Sequence, residues 1–218
     1  MKSIVIVISG RGSNMESLLK ATAAGELPVR ISAVLSNRPD AVGLRTAAAY
    51  GVPTQVVDHT EYASREAFDA AMAETIDGLG PDFVVLAGFM RILSDAFVQH
   101  FQGRLINIHP SLLPSFTGLH THRRALQEGA RIHGCTVHFV TPSLDHGPII
   151  VQAAVPVLDG DDEVSLAARV LAQEHCVYPL AIRWLAEGRV RLVEGRVFLD
   201  TPQDGAAVLV SPPAQVAP

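Results

Sequence analysis

Apolar runs of strand length alternate with segments of helical spacing along most of this chain. Ile4-Val5-Ile6-Val7-Ile8 has no polar position, which suits a central strand buried on both faces. Further strands are predicted over residues 29–36, Thr54–Val57, Phe83–Ala87, Leu105–His109, Gly134–Thr141 and Ile149–Leu158. The spacing predicts a helix from Met15, with Leu18, Leu19 and Ala23 on its apolar side. Another covers Ala41–Tyr50, stopped by Gly51 and Pro53. Thr60–Leu79 places Phe68, Ala71, Met72 and Ile76 on one side of a third. Ser94 caps a short helix to His100, and Leu119–Glu128 is the next. A long helix opens at Asp159–Glu163, where acids suit the helix dipole, and runs to about Glu187 with a kink at Pro179. Arg189–Val193 and Val197–Leu199 form a hairpin around Glu194-Gly195. This alternation predicts an α/β fold, a mostly parallel twisted sheet with helices on both faces.

At 218 residues the chain has room for one large or two small domains, and a 48% hydrophobic content supplies a sizeable core. The net charge of −5 argues against a general nucleic-acid binder, which carries a basic excess. Cys135 and Cys176 sit in apolar surroundings without a C-x-x-C pair, and read as reduced, buried thiols of a cytoplasmic protein. Met1-Lys2-Ser3 is too short a lead for a secretory signal, and no stretch is long enough to cross a membrane. No repeat or interdomain linker is evident. A single domain is expected over residues 1–200. The Pro-rich residues 201–218 are expected to be mobile.

Ser9-Gly10-Arg11-Gly12-Ser13-Asn14 stands between the first strand and the first helix. Backbone N–H groups at a helix start point at an anion, so this loop reads as a phosphate site. It is not the dinucleotide fingerprint: Met15 takes the third glycine's place, and Ser36-Asn37, not an acid, follows the second strand. A mononucleotide or sugar phosphate fits better than NAD, although a βα turn with glycines for geometry alone has the same pattern. On the strand at Leu105–His109, Asn107 and His109 project together while Ile106 and Ile108 face the opposite layer. An amide beside an imidazole is a pair of donors, which a carbonyl turning into an alkoxide needs. Pro110 biases His109 toward extended geometry. Alone, Asn-x-His-Pro is more often a strand end with a capping Asn and a solvated His.

Other positions carry two readings each. Arg65 is a solvated charge or a ligand anchor, and Asp145 by itself is a turn residue. Glu174 shares a face with Leu171 and Val177, so it is the polar edge of the helix or a group aimed at a cationic or amino ligand. Gly88–Leu93 is an apolar loop holding Arg91 at the carboxyl end of a strand, where open α/β sheets bind ligands. His120 and His122 diverge by about 200° on a helix. No H-E-x-x-H or facial triad occurs, so no metal is expected. His138, on an apolar strand, reads as a core histidine.

Taken in order, Ser9–Asn14, Ala87–Leu93, Asn107-Ile108-His109-Pro110-Ser111-Leu112-Leu113-Pro114, Leu144-Asp145-x-Gly147 and Gln173-Glu174-His175 with Tyr178-Pro179 resemble the folate-dependent formyltransferases, in their glycinamide ribonucleotide branch. The resemblance runs from Ile4 to about Leu199. It implies a Rossmann-like fold with an N-terminal mononucleotide-binding half and a C-terminal catalytic and folate-binding half. It also implies formyl transfer from 10-formyltetrahydrofolate to the amino group of glycinamide ribonucleotide, in purine biosynthesis. Gly12, Ser13 and Asn14 would hold the ribose phosphate, and Leu171, Ala172, Gln173 and Glu174 the glycinamide part. Arg65, Met90, Arg91, Ile92, Leu93, Asn107, Thr141, Pro142, Ser143, Leu144 and Asp145 would bind the folate. Asn107, His109 and Asp145 would be the catalytic set, with no metal, no nucleic acid and no membrane involved. His146 and Thr117 depart from the family pattern. The related readings are formyltetrahydrofolate hydrolase, expected to carry an extra N-terminal domain, methionyl-tRNA formyltransferase, expected to carry an extra C-terminal one, and a non-catalytic nucleotide- or folate-binding module. The oligomeric state is open, a homodimer included.

Overall fold

The computed structural model describes residues 1–200 and Ser211; the tail expected to be mobile lies, apart from Ser211, outside the described residues. Seven strands form one sheet: β1 (Lys2–Ile8), β2 (Val29–Ser36), β3 (Thr54–Val56), β4 (Phe83–Leu86), β5 (Leu105–His109), β6 (Ile132–Phe139) and β7 (Ile149–Pro156). Their order is β3-β2-β1-β4-β5-β6-β7. The pairs from β3 to β5 are parallel, whereas β6 runs antiparallel to β5 and β7 to β6. The α/β sheet read from the alternating pattern is therefore present. β8 (Val190–Val193) and β9 (Arg196–Leu199) make the separate hairpin.

β1 shows why the sequence folds this way. From Ser3 to Ile8 it is buried throughout. Ile4, Ile6 and Ile8 pack with Met15, Leu18 and Leu19 of α1 (Ser13–Ala23) and with Tyr178 and Ile182 of α6 (Glu163–Ala186). Val5 and Val7 pack on the opposite face with Phe68, Met72 and Ile76 of α3 (Arg65–Leu79) and Phe97 of α4 (Asp95–His100). Each such side chain contributes roughly 1.5–3 kcal/mol by leaving water. α2 (Val42–Ala49) joins the first layer through Ala47, and α5 (Thr121–Gln127) packs Ala125 against Leu166 and Val170 of α6.

Several boundaries differ from the sequence reading. α1 starts at Ser13, and Ala21 is buried while Ala23 is exposed. The helix expected from Thr60 begins at Arg65, because the Ser64 hydroxyl caps it by accepting from Ala67 N at 3.1 Å. Residues His59–Glu61 form only a 3-10 turn capped by Asp58. His120 has φ 56 and caps α5 from outside, so of the two histidines only His122 is helical. β6 starts two residues before the expected Gly134 and ends at Phe139, and β7 ends at Pro156. α6 continues through Pro179 as one helix. Cys135 is buried, its thiol pushed up to about 12 by burial, but Cys176 is exposed.

The Tyr178 hydroxyl donates to Leu86 O at 2.7 Å in a fully buried position. It pins α6 over the carboxyl end of β4 and so fixes where Glu174, one turn earlier, meets α1. Tyr178→Phe is expected to destabilise the protein by about 1–3 kcal/mol, the cost of leaving a buried carbonyl without its donor. Urea unfolding measures this, and unchanged stability contradicts it.

Candidate active site

The strand order reverses beside β1, which pairs with β2 on one side and β4 on the other. Ligands bind at the carboxyl end of such a switch point. Here Ser9–Asn14 and Ala87, Gly88, Met90 and Arg91 enclose a cavity of about 490 Å³ with Asn37, Arg38 and His59. Gly12 caps α1 with φ 70, a left-handed conformation that favours glycine. The first N–H groups of α1, which have no partner within the helix, open onto this loop. Gly43 N donates to Gly10 O at 3.0 Å, and Met90 N to Ser9 Oγ at 2.8 Å. The loop is thus held from both sides.

Asn14 and Glu174 join the loop to α6. Asn14 Nδ2 donates to Glu174 Oε2 at 2.7 Å, and both residues are buried. Burial pushes the Glu174 carboxyl above its usual range, and the Asn14 hydrogen bond opposes that shift. Glu174 is therefore not the polar edge of its helix. Of its neighbours, Leu171 and Gln173 are half-buried and Ala172 is exposed.

Two strands away, Leu86 pairs with Asn107, so β5 ends on the same edge of the sheet as β1 and β4. His109 Nε2 donates to Phe116 O at 3.0 Å. This leaves Nδ1 facing Asp145, whose Oδ2 is 3.6 Å away, with both side chains 8% exposed. Asp145 is in a turn at φ 54, and its Oδ2 accepts from Gly118 N at 2.8 Å. Gly147 makes this approach possible: a Cβ there would lie 1.7 Å from Phe139 O, so any side chain would lift the turn off β6. The segment after His109 is anchored by the Thr136 hydroxyl. It donates to Ser111 O at 2.7 Å and accepts from Leu113 N at 3.0 Å and Gln152 Nε2 at 2.9 Å. His146 is exposed and its Nδ1 donates to Leu144 O, not to the Asp145 carboxylate.

The residues expected to touch folate divide into two groups. Met90, Ile92 and Leu144 are 74%, 64% and 55% exposed, large apolar side chains on loops at the rim of the site. Arg91 is half-buried, its guanidinium 5.2 Å from the centre of the Phe68 ring. Leu93 is half-buried on the core, Pro142 and Ser143 are exposed, and the Thr141 hydroxyl donates to Ser143 O. Arg65 pairs with Glu66 at 3.2 Å and does not line the cavity.

Sequence reading missed four contributors. Asn37, Arg38 and His59 line the cavity, and their only signal was position after a strand of a parallel sheet. His138 is buried as expected, but its Nε2 lies 3.4 Å from Asn107 Nδ2. His122 and His133 face each other at 3.2 Å, with burial pushing His133 down to about 4. Among the described residues no three His, Cys, Asp or Glu side chains are grouped to hold a metal ion.

Glu174 supplies a pH test. Its carboxyl is raised in the folded state, so the folded protein holds a proton that the unfolded chain has released. Stability from this group is therefore present at low pH and falls as pH rises above the ordinary carboxylate range. Glu174→Gln is expected to be more stable than the parent at pH 7, with the difference shrinking toward pH 4. Denaturant titrations at the two pH values read it; a variant less stable at pH 7 contradicts the assignment.

A family model described as formyl transferase matches residues 1–182. The phosphoribosylglycinamide formyltransferase of Escherichia coli (strain K12) is 51% identical over 198 residues, covering 91% of this chain and 93% of that protein. Among solved structures, glycinamide ribonucleotide transformylase 1 from Symbiobacterium toebii has a TM-score of 0.89 and 48% identity, covering 91% of this chain and 94% of its own. A formyltetrahydrofolate deformylase from Pseudomonas syringae pv. tomato has a TM-score of 0.83 at 30% identity, over 91% of this chain but 65% of the deformylase. With most of its length matched in sequence and in structure, this chain belongs to the formyl transferase family.

Proposed function

We propose that this protein transfers the formyl group of 10-formyltetrahydrofolate to the amino group of glycinamide ribonucleotide, a step of purine biosynthesis. The observation that carries the proposal is the approach of Asp145 to His109 beside Asn107, on the same sheet edge as a phosphate loop. Gly12, Ser13 and Asn14 take the ribose phosphate through the start of α1. Glu174, with Leu171, Ala172 and Gln173, takes the glycinamide part. Folate lies between two loops, against Met90–Leu93 and Thr141–Asp145, with Arg91 and Arg65 toward its carboxylates. Residues 1–100 then supply the phosphate half and residues 101–200 the catalytic half of one domain.

The reaction forms one C–N bond and breaks another. The neutral substrate amine attacks the formyl carbon, whose oxygen becomes an alkoxide. Asn107 donates to that oxygen through Nδ2. His109 donates through Nδ1, since Nε2 is occupied by Phe116 O. The Asp145 carboxylate, 3.6 Å from that nitrogen, orients the ring. Asp145 accepts the amine's proton through water and returns it to the leaving folate nitrogen, so no proton is lost and no redox change occurs.

The rival readings differ in acceptor. The deformylase is 30% identical, against 51% for the Escherichia coli ribonucleotide enzyme, and this chain covers 65% of the deformylase against 93% of that enzyme. The net charge of −5 gives a tRNA little to grip. No helix among the described residues is long and apolar enough to cross a membrane. We place the protein in the cytoplasm, with a homodimer as one arrangement to test by sedimentation.

Formyl transfer measured with and without glycinamide ribonucleotide is expected to show acceptor-dependent release of tetrahydrofolate. Asp145→Asn is expected to keep the fold and lose on the order of 10²–10⁴ in kcat, the worth of a positioned acid–base group. Near-normal turnover in that variant rejects the role, and release without the ribonucleotide favours the hydrolase.

A further inference from the structure

One buried group beside the site has no part in the chemistry above. His138 is 2% exposed and lies on β6 directly across from Asn107 on β5. Its two ring nitrogens meet different partners. Nδ1 is 2.9 Å from Phe139 O, an oxygen that can only accept, so Nδ1 carries the proton. A neutral ring then presents a lone pair at Nε2, which lies 3.4 Å from the Asn107 amide nitrogen. An N–H can face that lone pair. The amide oxygen cannot, because two acceptors would then oppose each other. We propose that His138 is a positioning residue that sets which way the Asn107 amide faces, and so keeps an N–H donor aimed at the formyl oxygen. The inference rests on the formyl-transfer reading of this site.

The surroundings support a neutral ring with this one tautomer. Desolvation is the largest influence on His138 and disfavours its charged form; nearby His109 acts in the same direction. The Phe139 carbonyl and the Asp145 carboxylate act the other way. The Phe139 carbonyl has a second use. It is the oxygen against which Gly147 packs, and a Cβ on Gly147 would also lie 3.3 Å from His138 Nδ1. One backbone carbonyl thereby seats the Asp145 turn and fixes the His138 tautomer, which in turn fixes Asn107. Without an acceptor at the Nε2 position, the amide is free to rotate by half a turn and present oxygen to oxygen. The most this can cost is the loss of one oxyanion donor, about 10²–10³ in kcat.

Two side chains separate the two ring contacts. Glutamine reaches about as far as Nε2 and restores an acceptor for Asn107. Asparagine reaches about as far as Nδ1, keeps a donor for Phe139 O, and leaves Asn107 without a partner. The experiment is steady-state formyl transfer by His138→Gln and His138→Asn, alone and combined with Asn107→Ala, with melting temperatures for all. The glutamine variant is expected to stay within about threefold of the parent kcat, while asparagine loses about tenfold or more with KM for both substrates within about twofold. In the Asn107→Ala background His138→Asn is expected to cost less than about twofold more, since the two residues act as one unit. A parent-like kcat in His138→Asn overturns the inference. So does a loss that adds in full to Asn107→Ala, or a glutamine variant that folds yet loses as much as asparagine. Should the asparagine variant not fold, the glutamine variant alone decides by the same kcat limit. A parent protein with no ribonucleotide-dependent transfer rejects the functional reading instead.

Discussion

A carboxylate 3.6 Å from an imidazole, with water nearly excluded from both, is the contact the rest of the site maintains. Neither group reaches that position through local structure. His109 is delivered as the last residue of β5, just before Pro110, and its ring is oriented by a carbonyl seven residues later. Asp145 comes from a turn after β6 and is oriented by the Gly118 N–H. The segment containing Phe116 and Gly118 therefore touches both partners. Phe116, His120 and Asp145 all have left-handed backbone conformations without being glycine. Such residues persist only where surrounding contacts over-determine them. Here those contacts include the Thr136 hydroxyl and the close passage of Gly147 over Phe139.

The second half of the site depends on the sheet's switch point. Parallel strands β1, β4 and β5 end on one edge, so the Ser9–Asn14 loop, an apolar loop and an Asn-His strand end become neighbours without long excursions of the chain. α6 then closes the arrangement. It is capped by Asp162, whose carboxylate accepts from Ser165 N at 2.7 Å, and pinned to β4 by Tyr178. This places a buried acid against Asn14 of the glycine-rich loop. The cost of desolvating Glu174 is offset in part by that single hydrogen bond. A carboxylate kept at such cost suits a ligand with hydroxyl or amino groups better than it suits packing.

Much of the fold was legible because β-branched runs and glycine turns act locally. Ile4–Ile8, the Gly12 turn and the Asn107–His109 strand end needed no knowledge of the rest of the chain. Where the reading erred, a local signal was outweighed by another. The helix was expected from Thr60, but the Ser64 cap set its start at Arg65. His120 fitted a helical pattern, yet its backbone turned left-handed as the chain bent beside Asp145. Cys176 looked buried by composition and lies on the outer face of α6. The role of His138 was beyond reach for a different reason. Its burial followed from an apolar strand, but its partner was set by antiparallel pairing of β6 with β5. Asn37 and His59 likewise meet the Ser9–Asn14 loop only in space.

The central claim is that Asn107, His109 and Asp145 converge on one carbon. It is tested most directly by a crystal structure with glycinamide ribonucleotide and a folate analogue whose aldehyde hydrates to a gem-diol. One diol oxygen is expected about 3 Å from both Asn107 Nδ2 and His109 Nδ1, with Asp145 one water from the ribonucleotide amine. A diol bound away from these groups, or an Asp145 carboxylate turned from the imidazole in the ternary complex, would contradict the account.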